Sequence, residues 1–217
     1  MSPRFRPSDR EHANLILYII LYQDCPMAYI AIVDMTPENI ADYGVCGYKD
    51  LQKHEELRRK IAWFSLNYSL GLRIKALISE KDGYQGMVEY MPGEIAHRPV
   101  DAGGYLFIQC IFTGLKKEYK GKGYGEMLIR SCIQEAEQGE FKGVAVVTRN
   151  GSFMAKKDIF LKLGFIVVDS APPDFDLLAL RFSHETPAPW FTLGLASRAA
   201  EYPEGLTILS QPSVHTR

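Results

Sequence analysis

Cysteine is scarce in this chain, with four among 217 residues: Cys25, Cys46, Cys110 and Cys132. None of them forms a Cys-x-x-Cys pair or a Cys/His spacing able to wrap a metal ion. A structural zinc module and a disulfide framework are therefore excluded as organising devices. This usage suits a reducing cytoplasm. Cys110 and Cys132 fall within apolar patterns, where a free thiol is ordinarily buried and inert. Net charge is scarce as well: 25 Lys and Arg stand against 26 Asp and Glu, leaving −1. That balance excludes general attraction to nucleic acid or to an anionic membrane. A membrane-spanning run is also missing. Arg4, Arg6 and Arg10 precede an apolar run over 15–22, in the manner of a signal peptide, but Gln23-Asp24-Cys25-Pro26 interrupts it. The run stops well short of the roughly 20 residues a span needs, and no small-residue cleavage site follows. Nor is there a Gly-x-x-x-x-Gly-Lys-Ser/Thr phosphate loop anywhere in the chain.

With 47% hydrophobic and 24% charged residues, the composition is that of a globular protein with one substantial domain. Met27 is a candidate start, because a strand begins directly after it. Residues 1–26 are accordingly set apart as an N-terminal extension, and 27–185 as the domain. Residues 186–217 form a tail that either packs on the domain or begins a shortened second one, with a candidate strand at Leu206-Thr207-Ile208-Leu209. About thirty residues cannot enclose a core of their own. Within the domain, periodicity predicts a strand over 30–33 and a capped turn at Thr36-Pro37-Glu38-Asn39 with Pro37 opening a helix. It predicts a long amphipathic helix, or a pair, over 50–70, with Leu51, Leu57, Ile61, Phe64, Leu66 and Leu70 available for packing. Strands over 74–79 and 84–91 are joined at Lys81-Asp82-Gly83, a hairpin signal. A polar loop over 92–104, a strand over 105–112, a helix over 126–138 and a strand over 144–147 follow. The last elements are a helix over 153–163 and strands over 165–168 and 175–182. The order β-αα-βββ-α-β-α-ββ is that of a mixed α/β (α+β) protein with one central sheet.

Between the strand over 105–112 and the next helix lies Lys120-Gly121-Lys122-Gly123-Tyr124-Gly125. Glycines at alternate positions allow a tight turn whose N–H groups converge and which a ligand can approach closely. The helix that follows adds unpaired N–H groups and the positive end of its dipole, which together favour phosphate. Lys116, Lys117, Lys120 and Lys122 add positive charge beside the same turn. This is a pyrophosphate cradle. The regular dinucleotide fingerprint is not matched, and Thr148-Arg149 stands where an acidic residue would end the next strand.

The hexamer resembles the acyl-CoA signature of the GNAT acetyltransferase superfamily, Arg/Gln-x-x-Gly-x-Gly/Ala, with Lys120 in the place of Arg or Gln. The order of elements from about Tyr29 to Ser183 is similar to the GNAT acyl-CoA N-acyltransferase fold. A second motif, Asn150 followed by Phe160-Leu161-Lys162-Leu163-Gly164-Phe165, extends the likeness. The segments 43–48, 88–94 and 109–112 resemble the bacterial YoaP-like branch of that superfamily. The resemblance implies acetyl-CoA as co-substrate, no metal, and an amine acceptor, small molecule or peptide, attacked directly in a ternary complex. It implies that Cys110, Ile111, Phe112 and Thr113 form the end of a splayed strand that holds pantetheine and the thioester. It likewise places Lys120, Gly121, Lys122, Gly123, Tyr124, Gly125, Asn150 and Phe160 against the cofactor. Many members carry a tyrosine at the Phe160 position to protonate the leaving sulfur, which phenylalanine cannot do; Tyr124 and Ser152 are the alternatives.

The acceptor ammonium, with a pKa near ~10, must lose a proton before it attacks. Glu89 is the expected base. Strand parity sets it on a face with Gln85, Met87 and Met91, and the competing reading is a structural carboxylate paired with Arg98 or another base. Glu94 and His97 come next. Lys156 and Lys157 are candidates for another phosphate of the nucleotide. The rival functions are a non-catalytic acyl-CoA sensor, a dinucleotide-binding protein with Arg149 near a phosphate, and, more remotely, an RNA-binding patch at 116–122. The expected protein is cytoplasmic, a monomer or homodimer, with no nucleic acid or membrane partner.

Overall fold

The computed structural model describes residues 30–45, 48–114, 116–150 and 154–192. The extension over 1–26, the candidate strand at 206–209, and Cys25, Cys46 and Ser152 lie outside the described residues. The chain runs β1 (Ile30–Asp34), α1 (Ile40–Tyr43), α2 (Glu55–Tyr68), β2 (Arg73–Ser79) and β3 (Gly83–Pro92). A single 3-10 turn (Gly93–Ile95) and the two-residue β4 (Val100–Asp101) lead to β5 (Tyr105–Thr113). Then come α3 (Tyr124–Gln138), β6 (Gly143–Arg149), α4 (Asp158–Leu161), β7 (Ile166–Ala171), β8 (Phe175–Arg181) and β9 (Trp190–Phe191). The expected order is present, with β4 and β9 added to it.

Seven strands form one sheet in the order β1-β2-β3-β5-β6-β8-β7. Every neighbouring pair is antiparallel except β5–β6, which needs a crossover, and α3 supplies it. Side-chain alternation sorts the strand residues between two faces. Val88, Tyr90, Leu106, Ile108, Val144 and Val146 meet Leu128, Ile129 and Cys132 of α3 and Phe160 of α4. The opposite face is covered in two parts. Ile74, Ala76, Met87 and Met91 receive Ile40 of α1 and Leu57 and Phe64 of α2. Tyr105, Phe107, Ala145, Leu177 and Ala179 lie under Val100 and Ala102, where β4 and β9 pair as a ribbon.

Several expectations are corrected in detail. Residues 50–70 hold one helix, and Leu66 and Leu70 at its end are 76% and 59% exposed, because the buried stripe runs through Leu57, Lys60 and Phe64 instead. Pro37 sits in a turn rather than at a helix start. There the Asn39 side chain accepts from the Thr36 N–H at 2.8 Å and donates to the Asp34 carbonyl at 3.0 Å, which leaves Ile40 to open α1. The helix expected over 153–163 is one turn at Asp158–Leu161 among the described residues. The polar loop over 92–104 contains β4, whose partner β9 lies some ninety positions on, beyond the reach of a local pattern.

That loop is fastened at both ends. The Gly104 N–H donates to Glu94 Oε1 at 2.5 Å, the Ala96 N–H to the Gly93 carbonyl at 3.2 Å, and the Thr192 N–H to the Pro99 carbonyl at 2.9 Å. Gly93 lies so close to the chain returning through Ala102 that a Cβ there would stand 1.9 Å from the Ala102 carbonyl oxygen. The obstacle is backbone, which cannot rotate aside. Gly93→Ala is expected to lower stability by about 3 kcal/mol, as overpacking against a fixed neighbour does. Chemical denaturation would measure the loss, and a change below ~1 kcal/mol would mean that the loop shifts freely.

Candidate functional site

The site begins where two strands part. β5 and β6 pair in parallel from Tyr105/Gly143 to Ile108/Val146, and no pair is formed beyond that point. β6 continues along β8 to Arg149, and β5 continues along β3 to Thr113. Residues 109–113 of β5 thus turn one edge of backbone N–H and C=O groups toward the gap. A bulge marks the fork: Glu89 faces Cys110 and Tyr90 faces Ile108, so Gln109 is the extra residue. An extra residue shifts strand parity. Gln109 reaches Met91 Sδ at 3.0 Å, and Cys110 also packs on the α2 face, while Ile111 returns to the α3 face. Cys110, Ile111, Phe112 and Thr113 are all half-buried, at the mouth of the gap.

The glycine turn follows within a few residues. Gly121 and Gly123 have φ of 67° and 80°, a region that side chains with a Cβ rarely adopt, and a Cβ on either would meet nothing. Gly123 is the N-cap of α3, and its carbonyl accepts the Met127 N–H at 3.0 Å. The helix therefore starts at Tyr124 rather than Glu126, and its first-turn N–H groups have no acceptor within the helix. Open space above left-handed glycines, a helix N-terminus and exposed Lys120 and Lys122 together fit a phosphate group. Gly125 serves a different purpose from its neighbours. It is buried, and a Cβ there would meet Ile159 Cδ1 at 2.8 Å, so it seats α3 against the α4 region.

The four lysines divide between two tasks. Lys116 is ion-paired to Asp82 in the β2–β3 hairpin, and Asp82 also accepts from the buried Tyr119 hydroxyl at 2.7 Å. Lys116 thus fastens the approach to the turn, while Lys117, Lys120 and Lys122 stand exposed. Lys157 is tied to Asp176 at 2.8 Å, whereas Lys156 is exposed. Arg149 is held by Asp174 at 2.6 Å. Asn150 is exposed at the end of β6. Tyr124 is half-buried, its ring 6.1 Å from that of Tyr119. Phe160 is fully buried and edge-on to Phe165 at 5.4 Å, within the core under α3. Its side chain supports the gap from inside and does not line the open turn, so a missing hydroxyl there is explained by packing.

On the α2 side of the fork stands a charged cluster. Glu89 is 0% exposed, and its Oε2 lies 2.5 Å from Lys60 Nζ. The expected alternative partner, Arg98, does not form this pair. The Lys60 ammonium also sits 4.1 Å from the Trp63 ring, whose edge meets the His97 ring at 5.3 Å and 87°. His97 is exposed on the fastened loop. Burial of the ring pushes its pKa below 6.5, with Lys60 and Arg98 acting the same way and Glu89 opposing them. The Cys110 thiol is pushed up to about 11, chiefly by burial and then by Glu89. At neutral pH it is almost wholly protonated, a poor nucleophile. Glu94 is exposed and committed to the Gly104 N–H.

Lys60 was not anticipated as a member of this site, although the sequence carried a signal for it. Leu57, Lys60, Ile61 and Phe64 share one helix face, and a lysine on an apolar stripe needs a buried acid. The bulge at Gln109 gave no comparable signal.

No protein-family model matches the chain. YoaP, an uncharacterized N-acetyltransferase of Bacillus subtilis (strain 168), is 25% identical over 179 residues, which is 81% of this chain and 69% of that protein. YncA of Salmonella typhimurium, a candidate acetyltransferase solved with its cofactor acetyl-CoA, superposes with a TM-score of 0.50 at 14% identity, over 73% of this chain and 96% of that one. A candidate streptothricin acetyltransferase of Bacillus anthracis in complex with acetyl coenzyme A has a TM-score of 0.41 at 19% identity, over 52% of this chain and 64% of that one. The mixed α/β architecture is the expected acyl-CoA N-acyltransferase fold.

Removing one member of a buried ion pair strands the other charge, whereas replacing both with apolar groups does not. Lys60→Met is expected to cost about 3–5 kcal/mol. Adding Glu89→Leu to it should restore most of that loss, as read by equilibrium unfolding of both variants. Equal instability of the single and double variants would show that α2 is not held through this pair.

Proposed function

We propose that this chain, a member of the GNAT superfamily similar to YoaP, transfers an acetyl group from acetyl-CoA to a primary amine by direct attack in a ternary complex. The observation that carries the reading is the fork of β5 and β6 running into an open, left-handed glycine turn. Gly121 to Gly123 and the first-turn N–H groups of α3 hold the pyrophosphate, with Lys120 and Lys122 beside it and Asn150 across the gap. The free edge at Cys110, Ile111, Phe112 and Thr113 holds the pantetheine. A backbone N–H from that edge meets the charge that develops on the carbonyl oxygen, an effect of about a hundredfold to a thousandfold in rate.

When bound, acetyl-CoA supplies the activated acetyl carbon: the amine nitrogen bonds to it, the carbon–sulfur bond breaks, and the thiolate departs. The thiol of Cys110, held protonated, takes no part as an acyl carrier. Tyr124 supplies a hydroxyl at the same helix end for the leaving sulfur. The proton of the ammonium goes to His97. Glu89 occupies the expected position in the strand, but its carboxylate is buried and held by Lys60, so an acceptor would have to break that pair to reach it. Glu89 is therefore a positioning residue. It fixes Lys60 beneath Trp63, and Trp63 in turn orients the His97 ring.

The test is an amine library with acetyl-CoA, read by release of free thiol. Thiol release that no amine stimulates, in a protein that binds acetyl-CoA, would sink the reading. Gly123→Val is expected to stay folded yet lose more than tenfold in acetyl-CoA affinity by calorimetry, because the β-branched group strains the turn and projects into the open face. Unchanged affinity would remove the turn from the site. Gly125→Val is the less clean variant, since it disturbs the contact with Ile159.

The pH profile separates the two candidate bases. An imidazole accepts a proton only when neutral, and burial together with Lys60 and Arg98 favours that form, so the acid limb of kcat belongs below pH 6.5. His97→Gln should lower kcat by about 10²–10⁴ and abolish that limb. A limb that persists in His97→Gln and vanishes in Glu89→Gln would return the role to Glu89.

A further inference from the structure

Arg98 is the cation that the charged cluster leaves over. Lys60 and Glu89 neutralise each other, Glu94 is bound to the Gly104 N–H, and Arg98 has no carboxylate partner among the described residues. Its guanidinium is half-buried, and it adjoins the residue assigned to receive the acceptor's proton. A partly desolvated guanidinium is a fork of donors matched to a planar anion, and leaving it unpaired costs free energy.

The segment that carries Arg98 is held in place. The Val100 N–H donates to the Arg98 carbonyl at 2.7 Å, and the next residue, Pro99, is tied to Thr192 of the ribbon strand's continuation at 2.9 Å. On its other side the His97 ring stands against Trp63. Both Arg98 and Lys60 lie close enough to His97 and to Cys110 to act on their ionisation, which sets the guanidinium beside the mouth of the fork. An unpartnered single positive charge therefore stands next to the proton acceptor, on a loop that does not need to move to present it.

We infer that the acceptor is an amine that also carries a carboxylate, in the manner of an amino acid, with Arg98 binding the carboxylate while the amino group faces His97. The single surplus charge matches one carboxylate rather than a doubly charged phosphate. The short separation between neighbouring side chains suits a molecule whose amine and carboxylate are a few atoms apart. This inference rests on the acetyltransferase reading above and narrows its substrate class.

The experiment compares amines in pairs that differ by the carboxylate: phenylalanine with 2-phenylethylamine, and lysine with cadaverine. Thiol release from acetyl-CoA is measured for the wild type, Arg98→Gln and Arg98→Lys, and acetyl-CoA binding is measured by calorimetry in each. The wild type should favour the carboxylated member in KM, and Arg98→Gln should shrink that preference by about tenfold to a hundredfold, the loss expected for a charge-assisted pair. Arg98→Lys keeps the charge but not the fork, so it should lose a smaller part of the preference. If Arg98→Gln does not fold, Arg98→Lys decides alone, and a preference equal to that of the wild type overturns the assignment. A wild type that favours the decarboxylated members, or a preference that Arg98→Gln leaves intact, also overturns it while the acetyltransferase reading stands. Acetyl-CoA binding without acetylation of any amine overturns both.

Discussion

The parting of β5 from β6 is the constraint on which the rest of this molecule depends. Parallel strands that stop pairing after Ile108 and Val146 leave backbone donors and acceptors that neither strand can satisfy from the other. Such groups are costly inside a protein unless a ligand or water meets them. The rest of the architecture keeps the gap open without losing the sheet. β3 continues to pair with β5 as far as Thr113, β8 continues to pair with β6 as far as Arg149, and the core of α3 and Phe160 lies behind the opening. The bulge at Gln109 bends β5 at the fork and turns Cys110 toward α2.

The charge distribution divides the site into two halves with different physics. At the glycine turn, positive potential comes from a helix end and exposed lysines, where water screens each contribution and no single residue dominates. On the α2 side a lysine and a glutamate are buried together, and their geometry matters more than their number. Such a pair contributes little net stability over apolar replacements, but it tolerates only one arrangement of α2 against β3. Trp63 takes its position from Lys60, and His97 from Trp63. A side chain that is inaccessible to substrate can thereby set the orientation of one that is exposed.

Much of this was legible in the order of residues. Local signals are strong where a few neighbours suffice: Lys81-Asp82-Gly83 closes a hairpin, alternate glycines from 121 to 125 make a turn, and the rows on α3 match the face it buries. The chain by itself determined the element order, the mixed α/β class and the location of the phosphate-binding turn, because propensity and periodicity act over a handful of residues. Tertiary structure decided the partners. It chose Lys60 rather than Arg98 for Glu89, sent Lys116 to Asp82, buried Phe160, and brought Val100 to Phe191 to fasten the loop that carries His97 and Arg98. Those choices depend on which segments meet across the sheet and on a one-residue bulge in β5. Burial and the pairing of charge are properties of three-dimensional neighbours, and no spacing along the chain encodes them.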